Sequence, residues 1–173
     1  GYKDYAECGA TDTTSTNNKD GNNYAGAPTT NYGSDNVMSL RWEGSNAIRT
    51  LIHFTLPSGS GTISDVKLYM KAKTIAGTPS AEDFHTLTQT GWTEAGFTWN
   101  KYDGTNDWTT AGGDFSATII DSLASPPTIV GDWGTWILMG TGSDNPLSLN
   151  WGSSFHLLGK NKTESGADSG VQY

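Results

Sequence analysis

At 173 residues the chain has room for one domain with a full core and is short for two. Its 22 glycines and its charged fraction of 16%, against usual shares of ~7% and ~25%, supply turns and uncharged polar surface and point to an all-β class. Eighteen acidic against ten basic residues give a formal charge of −8, which repels phosphate backbones and anionic headgroups, and no run approaches the ~20 apolar residues of a membrane span. Neither nucleic acid nor membrane insertion is expected.

The chain opens on Gly1 without a basic-then-apolar leader, as in a processed mature protein or an excised fragment. Cys8 is the only cysteine, which excludes an internal disulfide. Residues 9–23, GATDTTSTNNKDGNN, carry no large apolar side chain, so residues 1–23 are predicted to be a polar arm or long loop and residues 24–173 a single domain. Asn18, Asp20 and Gly21 imitate part of a calcium loop, but Ala27 stands where its bidentate glutamate belongs.

From Val37 the pattern alternates. Met38, Leu40 and Trp42 share one face; Ile48, Ile52, Phe54 and Leu56 share one face while Arg49 and His53 take the other. In residues 63–73, Val66, Leu68, Met70 and Ala72 alternate with Lys67, Tyr69, Lys71 and Lys73, so one face is core and the other wet. Shorter strands are predicted at 83–89, 97–99, 115–121, 133–139, 155–159 and 170–173, separated by Gly, Pro, Asn and Ser clusters. Asp144-Asn145-Pro146 starts one short helical turn through Trp151. Eight or nine short, half-polar strands close most economically as a two-sheet antiparallel sandwich, a jelly roll.

Four ordered blocks carry a family resemblance. Asn31-Tyr32-Gly33, the strand Arg49 to Leu56, Trp92-Thr93-Glu94 with Thr98-Trp99-Asn100, and the closing LLGKNKTESGADSGVQY are similar to blocks of the DNRLRE domain family, over about residues 24–173. Thr55 stands where that family has Asp, and the hexapeptide that names it is absent. The resemblance implies a jelly roll found in secreted polysaccharide-acting, archaeal surface and phage virion proteins. It also implies glycan binding or surface assembly rather than catalysis.

The segment GWTEAGFTWNKYDGTNDWTTAGGD, residues 91–114, concentrates the candidate sites. Trp92, Trp99 and Trp108 fall within the resembling pattern and are read first as packing, each indole burying a large area with its N–H on a carbonyl; loss of Trp99 is expected to unfold the protein. Tyr102 and Trp108, beside Gly104 and Gly112, are the stacking candidates, since a flat ring next to small residues admits a pyranose face. Asp103, Asn106, Asp107 and Asp114 supply the oxygens that a structural calcium ion requires.

Alternation in WGTWILM separates Trp133 from Trp136: if Ile137 and Met139 point inward, Trp133 follows them and Trp136 becomes an exposed platform, and otherwise both rings pack under loops. Lys67 and Lys71, with Arg49 and Lys73, form a basic stripe that suits uronic acid chains; the same charges also deter edge pairing. His53, His85 and His156 would make a zinc site only if they converged, and are read as solvent-facing strand residues. Asn161-Lys162-Thr163 is a glycosylation sequon. The nucleophile elbow, zinc-protease helix and phosphate-loop patterns are absent from the sequence. Together with these absences, the resemblance implies a non-catalytic extracellular or virion-surface module that binds polysaccharide or cell-surface glycan. The alternative is a structural subunit that joins copies of itself in a filament, envelope or virion by strand or arm exchange.

Overall fold

The computed structural model describes residues 19–61, 65–134, 137–141 and 150–173. Cys8, residues 1–18, Trp136, the expected helical turn from Asp144 and the side chain of Val66 lie outside the described residues. Among the described residues ten strands follow in order: β1 Lys19–Tyr24, β2 Ser39–Glu43, β3 Asn46–Thr55, β4 Asp65–Leu68, β5 Thr74–Ala76, β6 Glu82–Leu87, β7 Phe115–Leu123, β8 Ile137–Thr141, β9 Ser154–Asn161 and β10 Ser169–Gln172. The fold is the expected all-β antiparallel class, consistent with a sandwich of jelly-roll type. Among the described residues no helix is long and apolar enough to cross a membrane.

Eight strands join in the order β5-β10-β2-β3-β9-β6-β7, with β1 added on β3; β4 and β8 make a separate pair. The predicted strand at 97–99 is instead part of a loop, while β1 and β5 were not foreseen. β1 corrects the boundary at residue 23, because residues 19–23 pair with His53 to Arg49 and belong to the sheet. Its two buried asparagines differ: the Asn23 amide has neither polar atom bonded, whereas Asn22 is fully engaged. Asn22 accepts hydrogen bonds on Oδ1 from the Ser39 N–H (2.7 Å) and the Thr50 hydroxyl (2.9 Å), and its amide donates to the Val37 carbonyl (2.8 Å).

The central strands β3 and β9 are buried on both faces. Their register pairs Ile52 with Leu157 and Phe54 with Phe155, then Leu51 with Leu158 and His53 with His156. Successive strand residues point to opposite faces. The first set joins Leu40, Leu68, Met70, Ala72, Phe84, Leu123 and Val171 in one core; Leu51 and Leu158 join Leu87, Trp92, Phe97 and Trp108 in the other. The short sheet side of the molecule thus covers one face, and the loop of residues 88–114 covers the second.

The chain closes on itself at β10. Tyr173 exchanges backbone hydrogen bonds with Met38, and its hydroxyl donates to Glu82 Oε2 at 2.7 Å. Glu82 is fully buried, and burial pushes its carboxyl up to about 8, against the smaller opposing effect of the Tyr173 hydrogen bond. Glu82 Oε1 and Asn161 Oδ1 are both buried without a hydrogen-bond partner, and the two residues are register partners across β6 and β9. A carboxyl that keeps its proton has an O–H to donate, which a buried carboxylate lacks.

Candidate carbohydrate surface

The loop of residues 88–114, which holds most of the candidate residues, is mostly built inward. Trp92 is wholly buried, its ring edge-on to Phe97 at 5.3 Å, and its indole N–H donates to His156 Nδ1 at 3.0 Å. That bond requires neutral His156, whose pKa is lowered to about 4 by burial first, then by His53 and Lys19. Trp108 retains 5% exposure and donates to the Thr98 carbonyl at 2.9 Å. With no free ring face it cannot stack on sugar, a correction to that expectation. Tyr102 is half-buried with its ring 5.7 Å from that of Trp108.

The motif blocks meet here for structural reasons. The Asn31 amide donates to the carbonyls of Glu94 (2.8 Å) and Phe97 (2.6 Å), and a Cβ on Gly33 would stand 1.9 Å from the Glu94 oxygen. The N-Y-G turn and the W-T-E turn are therefore pressed together, and only glycine fits the contact. Burial, and after it the Asp20 carboxylate, raises the Glu94 pKa.

Arg49 leaves the expected basic stripe. Its guanidinium makes a two-pronged ion pair with Glu164, both bonds 2.8 Å, and lies 4.8 Å from the centre of the half-buried Trp99 ring. Gly112, at φ +91°, completes the stack, since a Cβ there would come within 2.7 Å of both Arg49 and Trp99.

The four calcium candidates do not form a site. Asp103 accepts the backbone N–H groups of Asn106 (2.7 Å) and Thr105 (2.8 Å) and the Asn106 side-chain amide; these bonds, led by Asn106, lower its pKa. Asp107 pairs with Lys101 at 2.8 Å, and Asp114 caps the N–H groups of Thr109 and Thr110. Among the described residues no three His, Cys, Asp or Glu side chains are grouped to hold a metal ion. The donor set does not fit the ion, because each member serves its own turn.

The histidines are also displaced from their expected solvent face. His53 and His85 are buried, His53 stacks on His156 at 4.3 Å, and His85 Nδ1 lies 2.9 Å from the Ser116 carbonyl. The sequon fares likewise: Asn161 is fully buried and its amide donates to the Ser169 carbonyl at 3.1 Å, out of reach of a glycosylating enzyme.

One surface does gather ligand-type side chains. Leu68, Met70 and Ala72 point into the core, which leaves Lys67, Tyr69, Lys71 and Lys73 outward as the alternation predicts. Trp133 joins them at 58% exposure beside Tyr69 at 52%. The sequence pattern placed Trp133 inside on the condition that Ile137 and Met139 point inward, and the register explains its exposure. The β4–β8 ladder pairs Leu68 with Ile137, which if continued would set Lys71 opposite Gly134; the bridge observed is Lys71 with Trp133. A slip of one residue moves a side chain to the other face. The Lys71 ammonium lies 5.7 Å from the Trp133 ring centre, and the Lys73 ammonium donates to Asn36 Oδ1 at 3.1 Å. Exposed Ile129 and Val130 border the same segment. Lys67 and Lys71 thus come together with two aromatic residues not selected beforehand, one of which, Tyr69, was legible as the lone ring on the wet side of its strand.

A search of curated proteins finds no match to this chain. The sequence profile of carbohydrate-binding module family 96 matches residues 11–112, which span β1 to β6 and the tryptophan loop. The match covers more than half the chain, and so the protein belongs to carbohydrate-binding module family 96.

Proposed function

We propose that this module binds polysaccharide through the outer face of the short strand pair, with Trp133 and Tyr69 as platforms and Lys67, Lys71 and Lys73 as a cationic border. The observation that carries the reading is the exposure of two large rings on one face, next to lysines, in a chain whose Trp92 and Trp108 are buried. An indole or phenol face is apolar enough to cover the C–H face of a pyranose, while its rim stays wet. The ammonium groups would pair with sugar carboxylates, so the favoured ligand is a uronic acid chain, drawn in despite the acidic total by a local patch of opposite sign. The module adheres and breaks no bond. The likeness of its motif blocks to the DNRLRE family supports a setting on a secreted, cell-surface or virion protein.

The test is binding of the intact chain to immobilised polygalacturonate and to neutral glucans. Trp133→Ala and Tyr69→Ala should each weaken polygalacturonate binding at least tenfold with an unchanged melting temperature. Lys71→Ala should reduce the salt dependence of what remains. Wild-type binding by both aromatic variants would eliminate this face.

A further inference from the structure

We infer a second sugar site of different chemistry, in a groove where β6 ends and β7 begins. Thr88, Gln89, Thr109, Thr110, Asp114 and Phe115 line a wide-open depression of about 520 Å³. It adjoins the large sheet and the loop of residues 88–114, not the short strand pair.

The walls are held by their own backbone. Asp114 Oδ2 accepts the Thr109 N–H at 2.9 Å and Oδ1 accepts the Thr110 N–H at 2.7 Å, while its carbonyl accepts both the N–H and the hydroxyl of Thr88. An ionised carboxylate has about four acceptor positions, so each Asp114 oxygen keeps one for a ligand hydroxyl. Gln89 Oε1 accepts the Gly91 N–H at 2.9 Å, which fixes the amide and leaves its NH₂ group as the donor. Thr109 and Thr110 are exposed and add hydroxyls that both donate and accept. Phe115, half-buried with its ring 4.9 Å from that of His85, is the apolar wall.

A carboxylate acceptor, an amide donor, two hydroxyls and one ring edge match a pyranose, whose adjacent hydroxyls need both kinds of partner while its C–H face needs an apolar one. Asp114 is the one charged residue among those lining the groove, and the Arg49 guanidinium, 5.5 Å from the Phe115 ring centre, is already held by Glu164, so the wall offers a uronate no cation. The ligand is therefore an uncharged hexose unit. With a lysine-bordered face elsewhere on the domain, two sites of opposite electrostatic preference would hold neutral and acidic residues of one mixed polysaccharide, and the second contact would be intramolecular.

Titrating the isotope-labelled intact chain with methyl glucoside, methyl galactoside and methyl mannoside, followed by amide NMR, tests the groove. At least one glycoside should give saturable shifts centred on residues 88–89 and 109–115. Gln89→Ala and Asp114→Asn should weaken that response at least fivefold, each with a folded spectrum, and galacturonate should bind there more weakly than galactoside. Trp133→Ala should leave the neutral-sugar response intact while polygalacturonate binding falls, which separates this site from the first. Absence of a saturable shift with all three glycosides, shifts confined to residues 69–73 and 129–133, or an undiminished response in the Gln89 variant would each overturn the inference.

Discussion

The two faces of the central β3–β9 pair are covered in opposite ways. On one, the strand segment through Leu68, Met70 and Ala72 sends every second residue into the core and leaves Tyr69 and the lysines outside. On the other, the loop of residues 88–114 sends Trp92, Phe97 and Trp108 inward and keeps Asp103, Asn106 and Asp107 for its own turns. The loop lacks strand alternation and must bury large rings to hold its course over the sheet; the strand segment is held by its ladder and core side and is free to display rings. Density of tryptophan therefore marks closure here, and a single ring among lysines marks display.

The contrast is broken most severely by Trp92→Ala. It empties a large buried volume and strips His156 of its donor, so a loss of about 3–5 kcal/mol is expected in urea unfolding, with sugar binding lost only as the fold is lost. Arg49→Ala removes the two-pronged partner of Glu164, leaving it only Lys160 at 3.6 Å, and uncovers Trp99, at a cost of about 2 kcal/mol. Trp99 itself is only half-buried, so Trp99→Ala should destabilise less than Trp92→Ala, against the expectation that its loss unfolds the chain; equal losses would show that the two covers differ less than argued.

Next comes pH. Glu82 holds its proton in the folded state up to about 8, whereas the unfolded chain releases it near 4.5. Its stabilisation is complete below pH 4.5 and is lost as pH rises toward 8, a change on the order of a few kcal/mol. Glu82→Gln, which stays neutral and keeps an acceptor for Tyr173, should flatten that decline and raise the melting temperature at pH 8. His156 acts with the opposite sign: held neutral down to about 4, it stabilises the fold above pH 6.5 and that contribution is lost as pH falls from 6.5 toward 4. Replacing His156 with Gln should remove this acid limb.

The smallest effect on stability belongs to the display face. Trp133→Ala should shift unfolding by less than about 0.5 kcal/mol while abolishing most polysaccharide binding. A large loss of stability would place this ring with Trp92 and remove the distinction.

Much of this was legible beforehand. Alternation in residues 63–73 correctly assigned Leu68, Met70 and Ala72 to the core and Lys67, Tyr69, Lys71 and Lys73 to the surface, because a period of two needs no knowledge of partners. The same logic failed for Trp133, since a one-residue register slip between the pairs Leu68–Ile137 and Lys71–Trp133 leaves no mark in composition. It failed for β1 as well: KDGNNY has no apolar stripe, and its pairing depends on Asn22 finding Ser39, Val37 and Thr50 far along the chain. Asp103, Asn106, Asp107 and Asp114 resembled ion ligands because their residue types suit calcium, but the same oxygens are equally good turn acceptors, and only their directions separate the two uses.

The order of amino acids alone determined an all-β antiparallel domain and its principal strands, because side-chain alternation and turn chemistry act between near neighbours. Which aromatic residues are buried, which lysines stand beside exposed rings, and which carboxylates are already committed were decided by tertiary structure. Those outcomes depend on register, on the second cover over β3 and β9, and on hydrogen-bond partners dozens of residues away, such as Asn31 with Glu94 and Tyr173 with Glu82. Burial and bonding are properties of what lies across the gap, and the sequence orders only what lies along the chain.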